Sequence, residues 1–170
     1  MKYETDKDRW LEHLALKCFC HYASREGRAI EFEQTQEDFS LYDAIIKEAG
    51  EVVRYAEVKV RAGYFLEKLP DIRVSYSKVS DARLRMEHFG IDTILILVFR
   101  DAFGYIDRIA KSPPDSVGVI ARFDRRVVER AAIYGKERLI KIPEEFWREL
   151  WQEINVQPAE GESVSVSISS

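Results

Sequence analysis

Hydrophobic positions first recur at helical spacing between Lys7 and Arg25. Leu11, Leu14, Ala15, Cys18, Phe19 and Tyr22 follow an i, i+3, i+4, i+7 rhythm that predicts one amphipathic helix. Thr5 or Asp6 stands where it can be capped, and Gly27 where it can end. The rhythm then shortens to two. Ala29–Glu33 alternates apolar and acidic residues and reads as a strand, with Gln34–Ser40 as a polar loop. Leu41–Lys47 and Val52–Arg61 read as two further strands, and the short turn Glu48-Ala49-Gly50 between them predicts an antiparallel hairpin. Gly63–Pro70 reads as a connector. Ser77–Phe89 returns to helical spacing, with Val79, Ala82, Met86 and Phe89 near one face and Gly90 as the stop. Asp92–Arg100 holds a continuous apolar run, Ile94 to Phe99, the pattern of a strand buried on both faces.

Beyond this point the pattern weakens. A return strand is expected over Phe103–Ile109 after a turn at Asp101–Gly104, and another strand over Val117–Arg122. Asp124–Tyr134 reads equally as helix or strand. Arg138–Ile142 suggests a short strand, and Pro143 opens a helix running through Trp151. Residues 157–170 are Ser-rich and poor in large apolar side chains, so they read as a disordered tail behind a domain spanning residues 1–156. A helix crossing from the third strand to the buried fourth implies a mixed central β-sheet flanked by helices, an α/β fold with the order αβββαβ.

Composition narrows the function classes. The chain has 170 residues, enough for one domain with a real core, and is 46% hydrophobic and 33% charged. Its longest apolar run, Thr93–Phe99, is strand-sized, and Met1–Arg9 lacks the apolar stretch of a secretory signal, so an intracellular, cytoplasmic protein with no membrane partner is expected. Cys18 and Cys20 stand two apart on a helix, a spacing unsuited to a disulfide or a zinc site. The net charge of −4 argues against binding nucleic acid through bulk electrostatics. Its distribution is uneven, however: Lys and Arg outnumber Asp and Glu over Arg54–Arg85 and again over Arg122–Lys141.

Chemistry concentrates in the predicted hairpin. On a strand through Tyr55-Ala56-Glu57-Val58-Lys59-Val60-Arg61, the residues Glu57, Lys59 and Arg61 share one face while Ala56, Val58 and Val60 share the other. Asp43 begins the preceding strand, and pairing through the Gly50 turn brings it alongside Glu57 and Lys59. Two converging carboxylates repel unless a proton or cation lies between them. Oxygen donors with room for water suit Mg²⁺ or Mn²⁺, and the Val58 carbonyl is a plausible further ligand.

This pattern resembles the PD-(D/E)xK nuclease superfamily, the restriction-endonuclease-like fold, over roughly Trp10 to Arg100. Asp43 matches its Asp and Glu57-Val58-Lys59 its Glu-x-Lys, with Tyr42 standing where the nominal proline would be. The resemblance implies a Mg²⁺-dependent nuclease that hydrolyses phosphodiester bonds, on DNA rather than RNA. In that picture Asp43 and Glu57 bind metal, Lys59 assists attack, and Glu12 of the first helix supplies a further acid. Lys78, Ser77 and Arg61 are then the residues expected near phosphates. A homodimer is compatible with the family, since cutters of two strands are commonly symmetric pairs.

Competing readings remain at the same residues. Glu57 and Lys59 could form a solvated ion pair, Asp43 a turn contact, and Glu12 a solvated helix position. The same fold also serves without turnover, as a nucleic-acid-binding or assembly subunit, or as a protein adaptor through its C-terminal part. His13, His21 and His88 have no ligand spacing among themselves. Trp10, Trp147 and Trp151 are expected in packing. The basic run Arg122–Arg130 reads as a solvated face, with a phosphate groove as the alternative.

Overall fold

The computed structural model describes residues 6–35, 42–61, 63–112 and 114–133, together with Arg148. Helix α1 (Asp6–Ala23) leads into strands β1 (Ile30–Gln34), β2 (Ala44–Glu48) and β3 (Glu51–Arg61). A 3₁₀ turn at Leu66–Lys68 precedes β4 (Asp71–Ser75) and helix α2 (Tyr76–Phe89). Strands β5 (Thr93–Phe99), β6 (Ala102–Ile106), β7 (Asp115–Val117), β8 (Ile120–Asp124) and β9 (Glu129–Ile133) follow. The main sheet has the order β1-β2-β3-β5-β6-β9, and a smaller sheet the order β4-β8-β7. Among the described strands of the main sheet only β3 and β5 pair in parallel, joined by the crossover that contains α2. The fold is thus α/β with a mixed sheet, as the sequence leads one to expect.

Alternation along β5 divides the core. Ile94, Ile96 and Val98 face α1, packing with Leu14, Ala15, Cys18, Ala56 and Val58. Leu95, Leu97 and Phe99 face the other way, packing with α2 and the small sheet through Val79, Ala82, Ile72 and Phe123. All seven residues of β5 are buried, which is what its unbroken apolar run requires. The apolar stripe foreseen on α1 is buried throughout, and Cys18 and Cys20 are buried free thiols.

The β2–β3 hairpin turns at Ala49 and Gly50, whose φ values of 51° and 85° both lie in the left-handed region. Two such residues make the tight connection whose twist matches antiparallel strands. The ladder runs from Glu48↔Glu51 to Ala44↔Ala56. β3 outlasts β2, continuing to Arg61 beside β5.

Several expectations need correction. Asp71–Ser75, left without an element, is a strand, and Val117–Arg122 proves to be part of a hairpin of two strands, β7 and β8. These three strands form the small sheet. The ambiguous stretch after Asp124 is a 3₁₀ turn followed by β9. The return strand begins at Ala102, so Gly104 lies inside it. Its missing side chain has a purpose, because a Cβ there would press into the carbonyl oxygen of Glu129 on β9. On α2, Phe89 is exposed and Arg85 is buried instead, donating to Thr93 Oγ1 at 3.1 Å. Trp10 is 40% exposed, stacked on His13 rather than sunk in the core. The expected strand Arg138–Ile142, most of the helix Pro143–Trp151 with Trp147 and Trp151, and the tail 157–170 lie outside the described residues.

Candidate active site

The site grows from the mismatch in strand length. Where β2 stops, the Asp43 N–H still donates to the Ala56 carbonyl at 2.9 Å. The Asp43 carboxylate then takes over from the missing strand: Oδ2 accepts the Val58 N–H at 2.8 Å. An otherwise unpaired amide is satisfied, and one carboxylate oxygen is fixed beside β3. Glu57, the residue before Val58, points to the α2 face, since its register partner in β5 is Leu95.

Glu57 is 1% exposed. Neither of its carboxylate oxygens accepts a hydrogen bond from an N–H or O–H of the described residues. Burying such a group is costly, and it favours the protonated form. Burial first, and then the Asp43 charge, raise the Glu57 pKa to about 7, against the pull of Lys78 and Lys59. Lys78, in the first turns of α2, holds its Nζ 3.4 Å from Glu57 Oε1. Lys59 follows on the same face of β3, half-buried, at the mouth of a cleft that also contains Arg61.

Asp43, Glu57, Lys59 and Lys78 therefore gather around the outrunning end of β3. Arg61 is exposed one step further along, and the Val58 side chain is buried on the opposite, α1 side of β3. Ser77 is exposed, its hydroxyl 2.9 Å from that of Ser75. Glu12 is buried on α1, 3.4 Å from Gln34 Nε2, and Gln34 is the strand partner of Ala44 next to Asp43. Among the described residues no group of three or more His, Cys, Asp or Glu side chains is arranged to hold a metal ion.

The donor set nonetheless fits a hard divalent cation. It offers oxygen atoms only, two of them buried without a hydrogen-bond donor, with like charges that need neutralising. The basic run at Arg122–Arg130 is largely engaged: Arg126 pairs with Asp124 at 2.7 Å and Arg130 with Glu67 at 2.5 Å, while Arg125 donates to the Glu67 carbonyl at 2.5 Å. His13 packs between Trp10 and Phe32, and His21 and His88 are exposed.

Sequence reasoning missed Arg85 and Tyr64. Arg85 lies over the rings of Tyr42 and Tyr55, with its guanidinium carbon 5.5 and 5.1 Å from their centroids. Tyr64, half exposed beside Lys59 and Arg61, sat in a stretch read as a connector. An aromatic in a loop next to basic residues was the available signal.

A helix, three antiparallel-paired strands, a crossover helix and a parallel strand, with an Asp beside a Glu-x-Lys, define a restriction-endonuclease-like domain. Residues 1–150 match the family model described as "Phage putative PDDEXK endonuclease", and the chain belongs to that family. Among solved structures, it is similar to a Holliday junction resolvase from the archaeal hyperthermophile Archaeoglobus fulgidus. That likeness has 13% sequence identity and a TM-score of 0.47, and covers 75% of this chain and 93% of the other. No curated protein matches the sequence. Among the described residues, no helix is long and apolar enough to cross a membrane.

Proposed function

We propose that the chain is a divalent-metal-dependent endonuclease that hydrolyses phosphodiester bonds of DNA, with Mg²⁺ or Mn²⁺ as its ion. The observation that carries this reading is the buried Glu57 carboxylate, which accepts no hydrogen bond among the described residues, beside an Asp43 already anchored to Val58 N–H. Asp43, Glu57 and the Val58 carbonyl would hold the ion. When bound, it supplies Lewis acidity at the phosphate and lowers the pKa of a water. Lys59 orients the attacking water and offsets charge growing on the phosphoryl oxygens. Lys78 and Arg61 hold neighbouring phosphates, with Ser77 at the margin. Glu12 supports the pair from the α1 side through Gln34.

Supercoiled circular DNA tests the proposal, with Mn²⁺, Mg²⁺ or chelator. Asp43→Asn and Lys59→Ala should each slow nicking by about 100-fold or more while leaving the melting transition in place. Full-rate cleavage by both variants would falsify the assignment. A non-catalytic DNA-binding or assembly subunit is favoured by one observation, the gathering of only two carboxylates among the described residues. Calorimetry with Mn²⁺ separates the two, because the silent module shows no heat that depends on Asp43.

A further inference from the structure

Next to the carboxylate centre, a cleft of about 370 Å³ opens between the main sheet and the small one. Its position follows from the topology. Along the free end of β3, same-face side chains advance by about 6.6 Å per step, and beside them β5 runs in the register Lys59↔Leu97 and Arg61↔Phe99. Strand β4 stands opposite, presenting Ile72 and Val74. The floor is therefore apolar, made by Leu97, Phe99 and Ile72, while Lys59, Arg61 and Tyr64 form the rim. Among the described residues of the lining the one carboxylate, Asp71, is neutralised by Arg73 at 2.8 Å.

An apolar slot ringed by cations is a poor site for a bare anion, which would lose water over hydrocarbon, and for a metal, which finds no oxygen cage. It fits a flat, weakly polar body tied to an anionic chain. A nucleobase on its sugar-phosphate backbone has that chemistry, and the volume admits one with its sugar. Bases inside a duplex are stacked and paired and cannot reach such a slot without being extruded. Tyr64, 56% exposed at the rim, offers the ring on which a base stacks.

We propose that this cleft receives an unpaired nucleobase of the DNA strand next to the bond to be cut, with Tyr64 as its stacking surface. The inference rests on the nuclease reading above and adds a substrate class: duplexes carrying an unpaired nucleotide beside the cleavage point.

Binding in chelator, without turnover, tests it. Fluorescence anisotropy compares a matched short duplex with the same duplex carrying one unpaired nucleotide, labelled in parallel with 2-aminopurine at that position. The expected result is about tenfold tighter binding of the unpaired form, with a change in 2-aminopurine emission. Tyr64→Ala should erase the preference and Tyr64→Trp keep it. Equal affinity for the two duplexes, or a preference indifferent to Tyr64→Ala, overturns the cleft assignment and leaves the nuclease reading standing. Failure to bind either duplex overturns both.

Discussion

On the α1 side of the main sheet, Leu14, Leu16, Cys18, Ile96 and Val98 are all but fully buried, and Glu12 is the acid among them. On the α2 side, the apolar residues Leu95, Leu97 and Phe99 share their face with Glu57, Lys59 and Lys78, and the packing opens into a cleft. One sheet thus carries two economies of burial. The first side gains stability from continuous close packing. The second gives some of that up by holding a carboxylate out of water with only the Lys78 ammonium, 3.4 Å away, to offset its charge among the described residues. The contrast locates function where the packing is interrupted by charge, and it can be broken by experiment from either side.

The largest expected stability change comes from the α1 side. Leu14→Ala removes a side chain that is 1% exposed and leaves a void that neighbours only partly fill, so urea unfolding should show a loss of about 2–5 kcal/mol. A loss below 1 kcal/mol, on the order of a surface change, would mean this face is less tightly packed than the burial implies.

The α2 side should respond in the opposite direction. Because the Glu57 pKa is raised from 4.5 to about 7, the folded chain retains a proton that the unfolded chain releases between those values. Stability from this group is fully present below pH 4.5 and is lost as pH rises through 7, by on the order of 3 kcal/mol in metal-free protein. Glu57→Gln should therefore be more stable than the parent at pH 8 in chelator, and flatter between pH 5 and 8. Denaturant midpoints at the two pH values check this. An unchanged pH dependence in the variant would show that Glu57 does not carry the strain.

The smallest effect lies at the solvent margin of the α1 side, where Arg54 lines a hollow with Phe19 and Tyr22. Arg54 pairs with Asp107 at 2.8 Å near the surface, and Arg54→Ala should cost at most about 1 kcal/mol, less at high salt. A larger loss would point to packing by the arginine stem rather than to charge.

The α1 side was also the more legible in sequence. Its stripe of Leu11, Leu14, Ala15, Cys18, Phe19 and Tyr22 follows one helical period, and every member is buried. The hairpin was readable because Ala49-Gly50 is a local signal, and local pairing put Asp43 beside Glu57. What escaped was non-local. Ile72 and Val74 alternate correctly for a strand, but their partners, Phe123 and Ala121, lie about fifty residues away in sequence and are announced by nothing nearby. Phe89 looked like a core residue by spacing and is exposed, whereas Arg85 is buried because Thr93 and two tyrosine rings receive it. Lys78 was expected near phosphates by its position on α2, with no contact to Glu57 foreseen; that closeness depends on how the crossover lands.

Gly104 has a practical bearing on any attempt to redesign this chain. Replacing glycines with alanine is a common way to stiffen a protein, and at most sites the new methyl finds room. Here it would meet backbone, which cannot rotate aside as a side chain can, so β9 would have to peel from β6. A library that randomises this position should return a single letter, and a homologue with any other residue there must seat the strand equivalent to β9 differently.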